Sequence, residues 1–226
     1  MTGLRQTAWA MACLAGLAGL ISPAASRPPE EARLAGTLSV FFREEKVGVE
    51  EFSWSEEADG YTLRVTGRMT KPLRLDIDSM TLVVSKDFIP REYRFLGALN
   101  GMSQDISSRI QDGRVENTIR MAGQENVLTA DVRRNAILLP NPLFSPYLVL
   151  AKKFGCGLKD KAEVSVYLIP QVEITGTLQA APDNPCALTL DLAGVQVSLL
   201  VDGTGRLVSL SIPGQSLKVT FDYGQE

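Results

Sequence analysis

The chain has 226 residues, with 23 lysines and arginines against 26 aspartates and glutamates, three cysteines and no histidine. Mild acidity with scattered charges, no basic run and no set of stacking aromatics exclude a nucleic-acid binder. The absence of histidine removes Ser-His-Asp and Cys-His hydrolases in their usual forms, and histidine-ligated zinc with them.

Residues 1–26 read as a secretory signal peptide. Arg5 supplies the positive start, Ala8 to Ile21 is apolar, and Ser22-Pro-Ala-Ala-Ser26 supplies the small residues of a cleavage site, after Ala24 or Ser26. Ala10-Met-Ala12 precedes Cys13 where a lipoprotein signal would begin with an aliphatic residue, so a lipid anchor is not expected. The expected product is exported, and periplasmic. Residues 27–34 form a flexible lead-in, and 35–226 form a single antiparallel β domain, long enough to bury a sizeable core.

Alternating residues predict strands near 36–44, 46–55, 60–70, 73–85, 91–99, 102–111, 114–121 and 125–132. In Tyr61-Thr-Leu-Arg-Val-Thr-Gly-Arg-Met-Thr70, for instance, Tyr61, Leu63, Val65 and Met69 share one face, and Arg64 and Arg68 the other. Asp59-Gly60, Asn100-Gly101, Asp112-Gly113 and Gly123 mark tight turns between them. One segment, Asn135 to Gly157, breaks this rhythm. Ser145 suits an N-cap and Pro146 the first helical position, while Lys152 and Lys153 complement the helix C-terminus and Gly155 can end it. A short helix over about 146–154 is therefore expected. Strands resume near 162–169, 171–180, 187–193, 195–201, 206–212 and 216–223. Asp202-Gly-Thr-Gly205 reads as a hairpin turn, and Leu200, which breaks alternation, as the mark of a strand buried on both faces.

Two cysteines, Cys156 and Cys186, follow the leader. In an oxidising compartment they are expected to pair, closing a loop of about 30 residues worth roughly 3–4 kcal/mol. The alternative is a reactive thiol at Cys156, between Gly155 and Gly157. A CxxC redox pair is absent.

No catalytic residue, metal site or cofactor motif stands out. Asp76 and Asp78 share a strand face, yet with Arg74 they read as the wet face opposite Leu73, Leu75 and Ile77. Glu44-Glu45, Glu50-Glu51 and Glu56-Glu57 read as solvated strand ends and loops. No P-loop or dinucleotide fingerprint is present.

What remains is shape. The expected fold is mainly β, an antiparallel meander forming a half-barrel or barrel, with the one short helix packed over or into it. If the sheet leaves an apolar trough under 140–154, the candidate ligand-binding residues are Leu63, Val65 and Met69 from the sheet, and Leu143, Phe144, Tyr147, Leu148, Leu150 and Phe154 from the roof. The competing expectation is an interior filled by side chains such as Phe41, Phe42, Trp54, Tyr61, Phe88 and Phe95.

The order of elements resembles an uncharacterised bacterial periplasmic β-rich family of unknown function. The resemblance rests on a Val-Gly turn in Lys46-Val-Gly-Val-Glu50, a Gly60-Tyr-Thr-Leu63 strand, Ile89-Pro-Arg-Glu-Tyr93, the Leu139 to Phe154 segment, and Asp202-Gly-Thr-Gly-Arg-Leu-Val208. The architecture is also similar to LolA/LolB-type lipoprotein carriers, which implies a half-barrel that holds acyl chains beneath helices. The expected function is therefore an exported envelope protein that binds or carries a lipid or other lipophilic molecule. The alternative is a structural or interaction component of the envelope that meets a protein partner. A carboxylate hydrolase would need two carboxylates converging in one cleft. An outer-membrane barrel is disfavoured by low aromatic content, wet-face charges and the polar end Gly224-Gln-Glu226.

Overall fold

The computed structural model describes residues 33–170 and 172–224, so the proposed signal peptide, Cys13 and all but the last two residues of the lead-in lie outside the described residues. The described chain is mainly β, with one short helix. Eight strands come first: β1 (Arg33–Phe42), β2 (Glu45–Glu57), β3 (Gly60–Met69), β4 (Leu75–Ser85), β5 (Pro90–Leu99), β6 (Met102–Gln111), β7 (Arg114–Met121) and β8 (Gln124–Asp131). A crossing segment follows, with β9 (Ile137–Leu138) and α1 (Tyr147–Phe154). Six more strands complete the chain: β10 (Ala162–Leu168), β11 (Val172–Ala181), β12 (Asn184–Leu192), β13 (Val195–Val201), β14 (Leu207–Ile212) and β15 (Leu217–Tyr223).

All fifteen strands join one open sheet, ordered β8-β7-β6-β5-β4-β3-β2-β1-β15-β14-β13-β12-β11-β10-β9. Every pairing is antiparallel except β9 with β10. The described chain thus starts in the middle of the sheet and meanders out to β8. It then crosses to the other edge and meanders back until β15 pairs with β1, Leu38 opposite Phe221. The sheet is not closed by backbone pairing.

Tight turns set the register. Asn100-Gly101, Asp112-Gly113 and Ala122-Gly123 all have positive φ at both residues, as type I′ hairpins require. At Asp59-Gly60 the turn residues are instead Ala58 and Asp59, because Gly60 already pairs with Glu57 inside the ladder. A Cβ on Gly60 would stand 2.0 Å from the Val84 carbonyl oxygen, so close strand approach rather than φ demands glycine there. The Val47-Gly48 turn suggested by resemblance does not exist. Both residues lie within β2, and the chain reverses at Arg43-Glu44, two non-glycine residues with φ of 49° and 66°. Leu200 lies on the outer face, 38% exposed, so β13 is not buried on both faces.

Inward residues alternate as expected: Phe52 and Trp54 on β2, Leu63 and Val65 on β3, Met80 and Leu82 on β4, and Leu188 and Leu190 on β12 are all buried. A wide sheet with one dry face needs cover. The crossing segment supplies it from inside. Ala136 to Pro140 and Leu143 to Ala151 are buried, and α1 lies against β14. Interior and crossing form one continuous apolar core.

Polar contacts join the two wings of the sheet. Asn117 of β7, fully buried, donates to the Tyr167 hydroxyl at 2.9 Å and to the Pro170 carbonyl at 2.6 Å, and accepts from Ser108 at 2.6 Å. Beyond β8, Arg133 pairs with Glu163 at 2.6 Å and Glu173 at 3.6 Å. These side chains connect the two wings, between which no strand pairing runs.

A candidate binding cleft at one end of the sheet

Antiparallel connectivity collects half of the turns at one end. Arg43-Glu44, residues 70–74, Asn100-Gly101, Ala122-Gly123, residues 169–170, Ala193-Gly194 and residues 213–216 all lie there. The crossing reaches the same end, because β9 runs parallel to β10 and leads into Pro140-Asn-Pro142.

Three pieces of chain meet around an open cleft of about 330 Å³ at this end. Met69 ends β3, and Pro72 and Leu73 come from the β3–β4 connection. Leu139, Asn141, Pro142, Leu143, Phe144 and Tyr147 come from the crossing. Leu168, Ile174, Leu192, Val195, Val197, Ile212, Gln215 and Leu217 come from the second meander. No lining residue is charged. Two lips of the mouth, Leu73 and Val195, are 41% and 42% exposed. On the other side of Asn141-Pro-Leu143 a smaller cavity of about 40 Å³ lies among Leu75, Tyr93, Phe95, Leu99, Gln104 and Ile106.

Behind the cleft, a buried carboxylate fixes the crossing. Glu50 of β2 is 4% exposed. One oxygen accepts the Phe144 N–H at 3.0 Å; the other accepts the Ser145 N–H at 3.0 Å and the Ser145 hydroxyl at 2.5 Å. Glu50 therefore does from across the sheet what a capping residue does locally: it takes up backbone donors just before α1 that would otherwise be orphaned. The helix starts at Tyr147, and Ser145 makes no side-chain cap to it, because its hydroxyl is spent on Glu50. At the other end, Gly155 takes φ of 52° and donates to the Ala151 carbonyl at 2.8 Å, as expected of a terminating glycine.

Burial pushes the Glu50 carboxyl above its ordinary value; the three hydrogen bonds from Ser145 and Phe144 oppose this without cancelling it. Burial also pushes the Tyr93 hydroxyl well up, and the nearby Glu50 charge adds to it. The Tyr147 hydroxyl is pushed up to about 12 by burial alone.

Of the residues singled out from sequence, Met69, Leu143, Phe144 and Tyr147 meet in the cleft. Leu63, Val65, Leu148 and Leu150 are buried in the continuous core and do not line it. Phe154 is half-buried at the far end of α1. Sequence reading missed Pro72, Leu73, Ile174, Leu192, Val195 and Leu217. They sit at strand ends and in connections, where only the meeting of distant turns gives them a common role. It also misplaced Glu50, which belongs to the dry face with Phe52 and Trp54 and is not a solvated strand end.

At the opposite end the interior is sealed. Trp54 stacks on Tyr61 at 5.4 Å, and Tyr61 on Phe88 at 5.2 Å. Cys156, just past α1, is bonded to Cys186 with an S–S distance of 2.02 Å. Its sulfur lies 3.2 Å from the Asp202 carbonyl oxygen, against the predicted hairpin turn. In that turn Asp202 accepts hydrogen bonds from Thr204 and from the Arg206 N–H.

No protein-family model matches the chain. No curated protein matches it either. Among solved structures, the chain is similar to the crystal structure of a DUF1089 family protein from Pseudomonas aeruginosa, at 13% identity and a TM-score of 0.42, over 86% of this chain and 95% of that one.

Asp76 and Asp78 do not form a paired site. Asp76 pairs with Arg74 at 3.1 Å, while Asp78 sits at a bulge between Ile77 and Ser79 and is exposed. Two wider depressions exist, of about 490 Å³ on β4–β7 and about 680 Å³ near Phe41 and Lys218. The first is walled by Glu92, Arg94, Arg109 and Glu116, and the second carries Arg43, Glu44 and Lys218. Size alone does not make a binding site; an apolar wall with few polar groups does, and the smaller cleft has it.

Proposed function

We propose that this protein is an exported module that binds a lipophilic molecule in the cleft at the turn-rich end. The observation that carries this reading is an open cleft of about 330 Å³ without a charged lining residue. A volume near the lower end of the roughly 300–1,000 Å³ range of ligand pockets suits one chain or ring system. Its binding would be driven by removing apolar surface from water, at roughly 25 cal/mol per Å² before the costs of association. The Cys156–Cys186 bond supports an oxidising compartment, hence export.

The test is titration of the purified, disulfide-bonded protein with diphenylhexatriene, an uncharged hydrocarbon dye. Saturable fluorescence enhancement is expected. Leu192→Trp, which fills the cleft from its β12 wall, is expected to abolish it with the far-UV spectrum unchanged. A folded protein without saturable enhancement would reject the reading.

A second reading, an envelope interaction component, is favoured by β8. This eight-residue strand is mostly exposed and pairs only with β7, leaving an edge on which an extended partner strand can add. Capture of an envelope protein that is lost when Val127→Pro blocks that edge would favour it.

A further inference from the structure

The end of the sheet that opens the cleft is also the end where apolar side chains meet water. Among the described residues nine large apolar side chains are exposed, and five of them, Leu73, Met102, Met121, Val172 and Val195, stand there. Leu73 lies in the β3–β4 connection; each of the others is the first or last residue of its strand, next to a turn. In sheet order they fall on β7, β6, the β3–β4 connection, β13 and β11, so they mark the whole width of this rim. The other four, Leu96, Val127, Leu200 and Val208, sit singly inside strands, as isolated apolar residues on a surface commonly do. None of the nine lies in a connection at the sealed end.

Unspent positive charge lies beside the same rim. Among the described residues of the connections there, Glu44 is the one acid, against Arg43, Lys71 and Arg74. Lys71 and Arg74 are paired with Glu45 and Asp76. Arg43 forms no ion pair, and neither do Lys46 and Lys218, which both stand opposite Phe41 in the ladder. Phe41, Arg43 and Lys218 line the hollow of about 680 Å³ next to the rim, which Glu44 also borders. Apolar tips spaced between polar turns make no continuous patch for a rigid partner to match. A fluid surface needs no match: each tip enters the head-group region on its own, and the free cations meet anionic head groups.

We infer that this rim docks on an anionic lipid bilayer, with the mouth of the cleft against the membrane. The docking rests on the rim and its cations. Its purpose rests on the binding reading above: a lipophilic ligand then passes between bilayer and cleft without crossing water.

The test is co-sedimentation of disulfide-bonded protein, residues 27–226, which contain every described residue, with two kinds of vesicle. One kind is phosphatidylcholine alone; the other mixes it in equal parts with phosphatidylglycerol. Binding to the mixed vesicles is expected to be at least about tenfold tighter at low salt, with the advantage shrinking as salt rises. Arg43→Gln combined with Lys218→Gln is expected to weaken binding to the mixed vesicles about tenfold. Met102→Ser combined with Met121→Ser is expected to weaken it by about as much, through lost apolar burial. None of these four residues lines the cleft, so diphenylhexatriene binding should be unchanged in both double variants. The inference is overturned if the wild type sediments with neither vesicle, which would leave the rim to a protein partner. It is equally overturned if the wild type binds both vesicles alike, or if either double variant binds the mixed vesicles as the wild type does. A protein that sediments with the mixed vesicles but binds no dye overturns the cleft reading and leaves the docking standing.

Discussion

The two ends of the sheet are built from the same kind of strand and differ in what closes them. At one end three rings, a disulfide and the last turn of α1 converge: Trp54, Tyr61 and Phe88 stack, and Cys156 is bonded to Cys186. At the other, the closing material is backbone, Pro140 to Tyr147, held from behind by Glu50. The cleft lies at the end closed in the second way. On the proposed reading, stability rests on the sealed end and binding on the open one, and this can be tested from both sides.

The largest effect should come from the sealed end. Cys186→Ser removes a link across 30 residues and is expected to cost about 3 kcal/mol in urea unfolding, while leaving dye affinity intact. Thiol titration of the denatured, unreduced wild type should find none free among these two. Loss of dye binding in a folded Cys186→Ser protein would break the division.

Glu50 comes next. Glu50→Ala leaves the Phe144 and Ser145 N–H groups without their acceptor and is expected to cost about 1–3 kcal/mol. It should also disturb the cleft, since Phe144 lines it. Glu50→Gln separates charge from shape. The folded carboxyl lies above its ordinary 4.5, so the folded state binds more protons than the unfolded state over the interval between the two values. The stability this group contributes is full below about pH 4.5 and is lost as pH rises through its folded value. Relative to Glu50→Gln, the wild type should therefore be most favoured in acid and lose ground on the way to neutrality. A wild-type advantage that instead grows with rising pH would show that the three hydrogen bonds outweigh burial.

The smallest stability effect belongs to the lip of the cleft. Leu73 is 41% exposed, so Leu73→Ser should change unfolding free energy by no more than about 0.5 kcal/mol. It should still weaken dye binding measurably. A variant at this position that lowers stability and leaves binding untouched would place the ligand elsewhere.

Much of the sheet was legible because alternation and turn chemistry are local. Asn100-Gly101 and Asp112-Gly113 turn where such pairs must, and Leu63 and Val65 face inward as their spacing requires. The failures have a common cause. Arg43-Glu44 turns without glycine, because the pairing of Phe42 with Glu45 and of both strands with their neighbours overrides local preference. Ser145 has the composition of a cap, yet a residue 95 positions away claims it. The site was half legible for the same reason. Met69, Leu143, Phe144 and Tyr147 carry an apolar signal, whereas Leu192 and Val195 acquire their role only from what faces them.

By itself, the sequence determines the building unit of this protein and the place where that unit stops. Period-two alternation dictates strands, Asn-Gly and Asp-Gly dictate where they reverse, and Asn135 to Gly157 fits neither. Tertiary structure alone decides that this interruption runs through the interior from one sheet edge to the other, that β15 returns to β1, and that Glu50 is buried. Those outcomes depend on contacts between residues far apart in the chain. Local propensity carries no information about them, whereas covering a wide apolar face and satisfying each buried backbone donor leave few other solutions.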